Sequence, residues 1–94
     1  MKVLVVYDIS DDGVRLKASR ILEIWGLSRI QRSAFVGSLT RSRAVDLARK
    51  LESIIDVKTD VIHIVFIQPQ DWSKTIVIGK PLWARGVLDA VHIL

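Results

Sequence analysis

The sequence predicts an α+β fold: a ferredoxin-like sandwich, an antiparallel sheet with two helices on one face. Three observations carry that prediction. Patterned segments follow in the order strand, helix, extended stretch, helix, strand, strand. Two stretches recur at helical spacing: Val14, Ala18, Ile21, Leu22 and Trp25, then Ala44, Leu47, Ala48, Leu51, Ile54 and Ile55. The strands themselves are nearly unbroken apolar runs, Val3–Val6, Val61–Ile67 and Ile76–Ile78. Helices on one face leave the other bare, and strands this hydrophobic need a cover. A homodimer through stacked sheet faces, with C-terminal strand exchange between subunits, supplies one.

Each element has a local reason. The run Val3–Val6 ends abruptly at Tyr7 and Asp8, as a strand covered on both faces does. Ser10 offers a side-chain oxygen to cap a helix, and Asp11 and Asp12 suit the positive end of its dipole. That helix is expected from Asp11 to about Trp25, with Gly26 as its C′ residue and Trp25 as core or interface. Arg29–Leu39 is extended but does not alternate cleanly, because Arg32 shares the parity of Ile30, Ala34 and Val36. A bulge or tight bend near Arg32–Ser33 resolves the conflict, in one bent strand or two short ones.

Thr40 caps a second helix, Arg41–Ile55. Arg41 and Arg43 lie in its first turn, where the dipole disfavours positive charge by roughly a few tenths of a kcal/mol each. Two readings of the pair stand, a binding role and simple crowding of exposed arginines. Asp56–Asp60 is a polar connector, and Val61–Ile67 is a buried strand stopped by Pro69. His63, with no acid or second histidine at ligand spacing, reads as structural. Trp72 falls in a connector, and Thr75–Gly79 is a further strand closed by Pro81. Residues 1–79 form the domain; residues 80–94 are too apolar to float free and should dock on the same domain or on a dimer partner.

Ninety-four residues make one domain. A chain so short buries only about 60–65% of the surface its unfolded form exposes. Half of its residues are nonetheless hydrophobic, which again favours a second copy as cover. The absence of cysteine excludes disulfides, thiolate metal sites and thiol catalysis. No apolar run reaches the roughly 18 residues of a membrane span, and no signal-peptide pattern is present. A soluble cytoplasmic protein without a membrane partner is the expectation.

The net charge of +4 is unevenly placed. Between Gly13 and Lys50, Arg15, Lys17, Arg20, Arg29, Arg32, Arg41, Arg43, Arg49 and Lys50 face only Glu23 and Asp46. A basic half is the footprint of a phosphate-rich partner, or else a set of ordinary solubilising helix faces. Against this background Asp8 stands between a rigid strand and a helix start. One carboxylate is a poor magnesium ligand set, but two Asp8 side chains meeting across a twofold axis would supply two anionic ligands. Such an ion would polarise a phosphodiester and lower the pKa of a bound water, while Arg15, Lys17 and Arg29 hold phosphates. A small-molecule-sensing domain explains neither the basic skew nor Asp8. An RNA-recognition module needs aromatic stacking residues that the central strands lack.

The stretch Tyr7-Asp8-Ile9-Ser10-Asp11-Asp12, followed by Arg15-x-Lys17 and then Gly26 to Leu39 (GLSRIQRSAFVGSL), resembles the CRISPR-associated Cas-two family. The segment from Trp72 to Gly79, ending IVIG, resembles that family's late strand, so the likeness covers residues 1–79. It implies a ferredoxin-like homodimer and a magnesium-dependent endonuclease acting on RNA or duplex DNA. It also implies a part in spacer acquisition beside a CRISPR integrase subunit. By motif position Asp8 is the catalytic and metal residue, and Tyr7 and Ser10 are its neighbours. Arg15, Lys17 and Arg29 are the nucleic-acid contacts, and Phe35 lies near the cleft or in plain core. The alternative reading is a non-catalytic DNA-binding scaffold of the same adaptation complex.

Overall fold

A computed structural model describes residues 1–81 and the strand 91–93. The elements run β1 (Lys2–Asp8), α1 (Asp12–Ile24), β2 (Ser28–Gln31), β3 (Ala34–Ser38), α2 (Arg41–Glu52), β4 (Val61–Ile67), α3 (Pro69–Trp72), β5 (Ile76–Ile78) and β6 (Val91–Ile93). The first four strands form one antiparallel sheet in the order β2-β3-β1-β4, the arrangement of a βαββαβ unit. The expected α+β sandwich is therefore present. Docking of the tail falls mostly on residues outside those described; of that segment, β6 pairs in parallel with β5 as a separate two-stranded sheet.

The core lies between the sheet and the two long helices. Val3, Val5, Tyr7 and Ile9 from β1 and its end meet Ala18, Ile21 and Leu22 of α1 and Ala44, Leu47 and Leu51 of α2, with Phe35 at the centre. Side chains alternate along β1, so Leu4, Val6 and Asp8 face the other way. Here the expectation of a strand covered on both faces is corrected. Val3 and Val5 are fully buried, but Leu4 is half-buried and Val6 exposed. The residues paired with them on β4, Val65 and His63, share this face, as does Val61 beside Asp8. At the end of the sheet where β1 begins, the same face is closed by the short α3 and β5, where Trp72 and Val77 pack on Val36, Ile30 and Ile67. Trp72 thus belongs to a helical turn rather than to an irregular connector.

The helix ends follow local chemistry, with one correction. The cap of α1 is Asp11, not Ser10: its carboxylate accepts from Val14 N at 2.9 Å. A charged oxygen suits the helix dipole better than a hydroxyl, and Ser10 is engaged elsewhere. At the other end Gly26 takes φ +90°, with Gly26 N donating to Glu23 O and Leu27 N to Leu22 O, a Schellman closure. Thr40 caps α2 as expected, accepting from Arg43 N at 3.2 Å. This helix ends at Glu52, and Ile54 and Ile55 pack against the core from the turns that follow. The irregular stretch resolves into two strands: a bulge between Arg29 and Gln31, then a turn at Arg32–Ser33.

Candidate functional site

The Arg32–Ser33 turn brings β2 and β3 against the end of β1. Tyr7 N donates to Ser33 O at 3.0 Å, and the Tyr7 hydroxyl donates to Arg32 O at 3.4 Å. The bulge leaves Arg29 on the helix-facing side with Phe35, opposite which it is paired. Its guanidinium lies 4.8 Å from the centre of the Phe35 ring and donates to the carbonyl of Arg32. The Phe35 ring also stacks on Tyr7, with centroids 6.4 Å apart. From α1, Arg15 donates to Ile9 O at 2.9 Å and forms an ion pair with Asp12.

Tyr7, Asp12, Arg15, Leu16, Ser19, Arg29 and Arg32 line a cleft of about 340 Å³. Asp12, Arg15, Leu16 and Ser19 follow helical spacing and so present one face of α1 to it. Burial pushes the Tyr7 phenol pKa up, against the opposing pull of the Arg29 and Arg15 charges. Tyr7 is accordingly a hydrogen-bond donor at neutral pH and not a base. What the cleft offers chemically is cationic donors on a rigid floor, the arrangement that receives a phosphate oxygen.

The predicted site residues divide into two groups. Tyr7, Arg15 and Arg29 come together in the cleft, with Phe35 beneath Arg29. Lys17 is exposed on α1 and does not line the cleft. Asp8 is exposed at the end of β1, on the sheet face opposite the one that Tyr7 occupies. Ser10 stands beyond it, its N and Oγ both donating to Asp60 Oδ1 at 3.1 Å. Asp60 also accepts from Asp56 N, and these backbone and hydroxyl donors hold its carboxyl below the usual range.

Sequence reasoning leaves Ser19, Arg32 and Asp60 outside the site. Arg32 does carry a signal, the break in strand parity. Asp60 carries none, since its partner Ser10 lies fifty positions away. The two arginines opening α2 stack on aromatic rings at the far end of the molecule, Arg43 4.6 Å from the Trp25 ring centre and Arg41 5.6 Å from that of Phe66. Among the described residues no helix is long and apolar enough to cross a membrane, and no group of three or more metal-ligating side chains gathers.

A family model described as CRISPR associated protein Cas2 matches residues 1–75. A CRISPR-associated endoribonuclease Cas2 of Pyrobaculum aerophilum is 43% identical over 86% of this chain and 83% of its own length. One from Korarchaeum cryptofilum is 40% identical over 92% of each. A Cas1/Cas2 fusion endonuclease of Thermoproteus tenax is 51% identical over 54% of this chain, a match that occupies 19% of the fusion. Among solved structures, a hypothetical protein from Thermus thermophilus superposes with a TM-score of 0.76 at 28% identity, covering 87% of this chain and 94% of that one. Streptococcus pyogenes Cas2 superposes with a TM-score of 0.66 at 31% identity, covering 77% of this chain and 90% of its own.

Proposed function

This chain belongs to the CRISPR-associated Cas2 family, and from that premise we propose that it is a metal-dependent endonuclease of a CRISPR system, cutting phosphodiester bonds of RNA or duplex DNA. The observation that carries the reading is the convergence of Arg15 and Arg29 on a cleft beside the strand that ends in Asp8. The two guanidiniums seat backbone phosphate; Phe35 and Tyr7 fix Arg29 and the cleft floor; Lys17 adds charge on the neighbouring flank. Asp8 is the catalytic carboxylate.

One copy of the chain does not complete a magnesium site, because a single exposed carboxylate cannot meet an octahedral oxygen demand. A second copy, stacked sheet face to sheet face over Leu4, Val6, Val61 and Val65, brings a second Asp8 to the same axis. In this reading the C-terminal strand is the element exchanged between the subunits. The two Asp8 carboxylates would hold magnesium, which when bound would supply polarisation of the scissile phosphodiester and a more acidic water. The chain's own residues orient the strand from either face of the sheet: Arg15 and Arg29 by hydrogen bonds from the cleft, Ser10 by tying the loop after β1 to Asp60 beside Asp8. The companion subunit is a CRISPR integrase, a reading that the Cas1/Cas2 fusion relative supports.

A second reading, a DNA-binding scaffold without catalysis, is favoured by one observation: within a subunit Asp8 and the arginine cleft lie on opposite faces of the sheet. Binding then does not need Asp8. Cleavage of single-stranded RNA and duplex DNA, with and without Mg²⁺, separates the readings. The nuclease reading expects Mg²⁺-dependent cutting by the native protein and a loss of at least about 100-fold in Asp8→Asn, the scale on which a catalytic group acts, with binding kept. Equal behaviour of the two proteins, bound but uncut, would leave the scaffold reading standing instead.

A further inference from the structure

Three arginines reach the cleft, and two of them are already engaged. Arg15 is held by Ile9 O and Asp12, and Arg29 by the carbonyl of Arg32 and the face of Phe35. Arg32 is exposed, lines the same cleft, and its guanidinium has no hydrogen bond or ion pair among the described residues. Its main chain does a different job: the single carbonyl of Arg32 accepts from both the Tyr7 hydroxyl and Arg29. With Asp12 the only acid in the lining, the cleft carries three positive charges against one negative.

We propose that Arg32 is a third phosphate-contacting residue, its free guanidinium meeting a backbone phosphodiester of nucleic acid between the tethered Arg15 and Arg29, while its carbonyl sets the positions of Arg29 and Tyr7. The inference rests on the cleft being the phosphate seat. A planar guanidinium with its donors uncommitted grips a phosphate by two parallel hydrogen bonds, which a pre-engaged one does less readily. Arg32 is exposed, whereas Arg15 and Arg29 are half-buried. The two tethered cations are held in place, so the phosphate is met by the one that is free to move onto it.

The test is fluorescence anisotropy of labelled single-stranded RNA and duplex DNA titrated with full-length protein across a salt series. Native protein, Arg32→Ala, Arg32→Lys and Lys74→Ala are compared, the last removing an equal charge that pairs with Asp71 outside the cleft. Arg32→Ala is expected to weaken binding about tenfold and to reduce the steepness of log K against log salt by about one. Arg32→Lys should keep the slope and lose part of the affinity, and Lys74→Ala should match native protein. The carbonyl survives each substitution at Arg32, so melting temperatures should stay close to native. A native slope and affinity in Arg32→Ala, or an equal drop in Lys74→Ala, overturns the inference and leaves the proposed function untouched. Native protein that binds neither nucleic acid overturns the proposed function with it.

Discussion

Phe35 shows how one residue can serve stability and site together. It is fully buried at the centre of the core, yet one face of its ring carries Arg29 and it stacks on Tyr7. Phe35→Ala should therefore cost about 3–5 kcal/mol of unfolding free energy. Phe35→Leu keeps most of the volume and should cost less than about 1.5 kcal/mol, while removing the ring beneath Arg29. The ring contact is present with and without nucleic acid, so affinity in Phe35→Leu should fall only through the looser placing of Arg29, by at most about 1 kcal/mol. Denaturant melts combined with binding titrations check both, and unchanged affinity in the leucine variant would make Phe35 core alone. At this scale the sequence exposes the residue types but not their grouping. Arg15 and Arg29 are readable as phosphate ligands because charge and motif mark them. The exclusion of Lys17 from the cleft needs the helical phase of α1 relative to the hairpin.

Among the elements, the loops flanking β1 and β4 are tied together by one side chain. Asp60 joins them, accepting from Ser10 and from Asp56 N beside the strand end that bears Asp8. Its carboxyl titrates below the ordinary 3.8, so the charged form is favoured in the folded state. Its contribution to stability is thus complete above the ordinary value and disappears as pH falls through the lowered one. Thermal melts of native protein and Asp60→Asn between about pH 2 and 6 should converge at the acid end, and the variant should be the less stable above it. Parallel curves over the whole range would remove Asp60 from the acid limb. The boundaries of α1 and α2, the Gly26 closure and the conflict at Arg32 are all legible in the chain, since caps and periodicity are local. The one-turn helix at Trp72 is not, because its formation depends on the open face of a sheet that it helps to cover. Ser10 reads as a cap but is not one for a related reason: a partner distant in sequence claims its hydroxyl.

For the molecule as a whole, the sheet has one finished face and one unfinished face. Helices seal the first. On the second, α3 and β5 cover only the end where β1 begins, leaving Val6, Val61 and Val65 exposed around Asp8 and His63. These valines are 36–46% exposed, so covering the rest of each is worth roughly 1–2 kcal/mol, a contribution towards holding a second copy there. The sequence points to this face through its excess of apolar residues, but one chain cannot show what closes it. Because the protein has no cysteine, Asp8→Cys introduces a single thiol at the point in question. If two Asp8 positions meet across a twofold axis, mild oxidation or a short bis-maleimide should convert Asp8→Cys rapidly into a covalent dimer at micromolar concentration, while Lys74→Cys should remain uncoupled. A monomer in solution, or an Asp8→Cys protein whose two thiols fail to couple while the folded dimer persists, would contradict the shared carboxylate site.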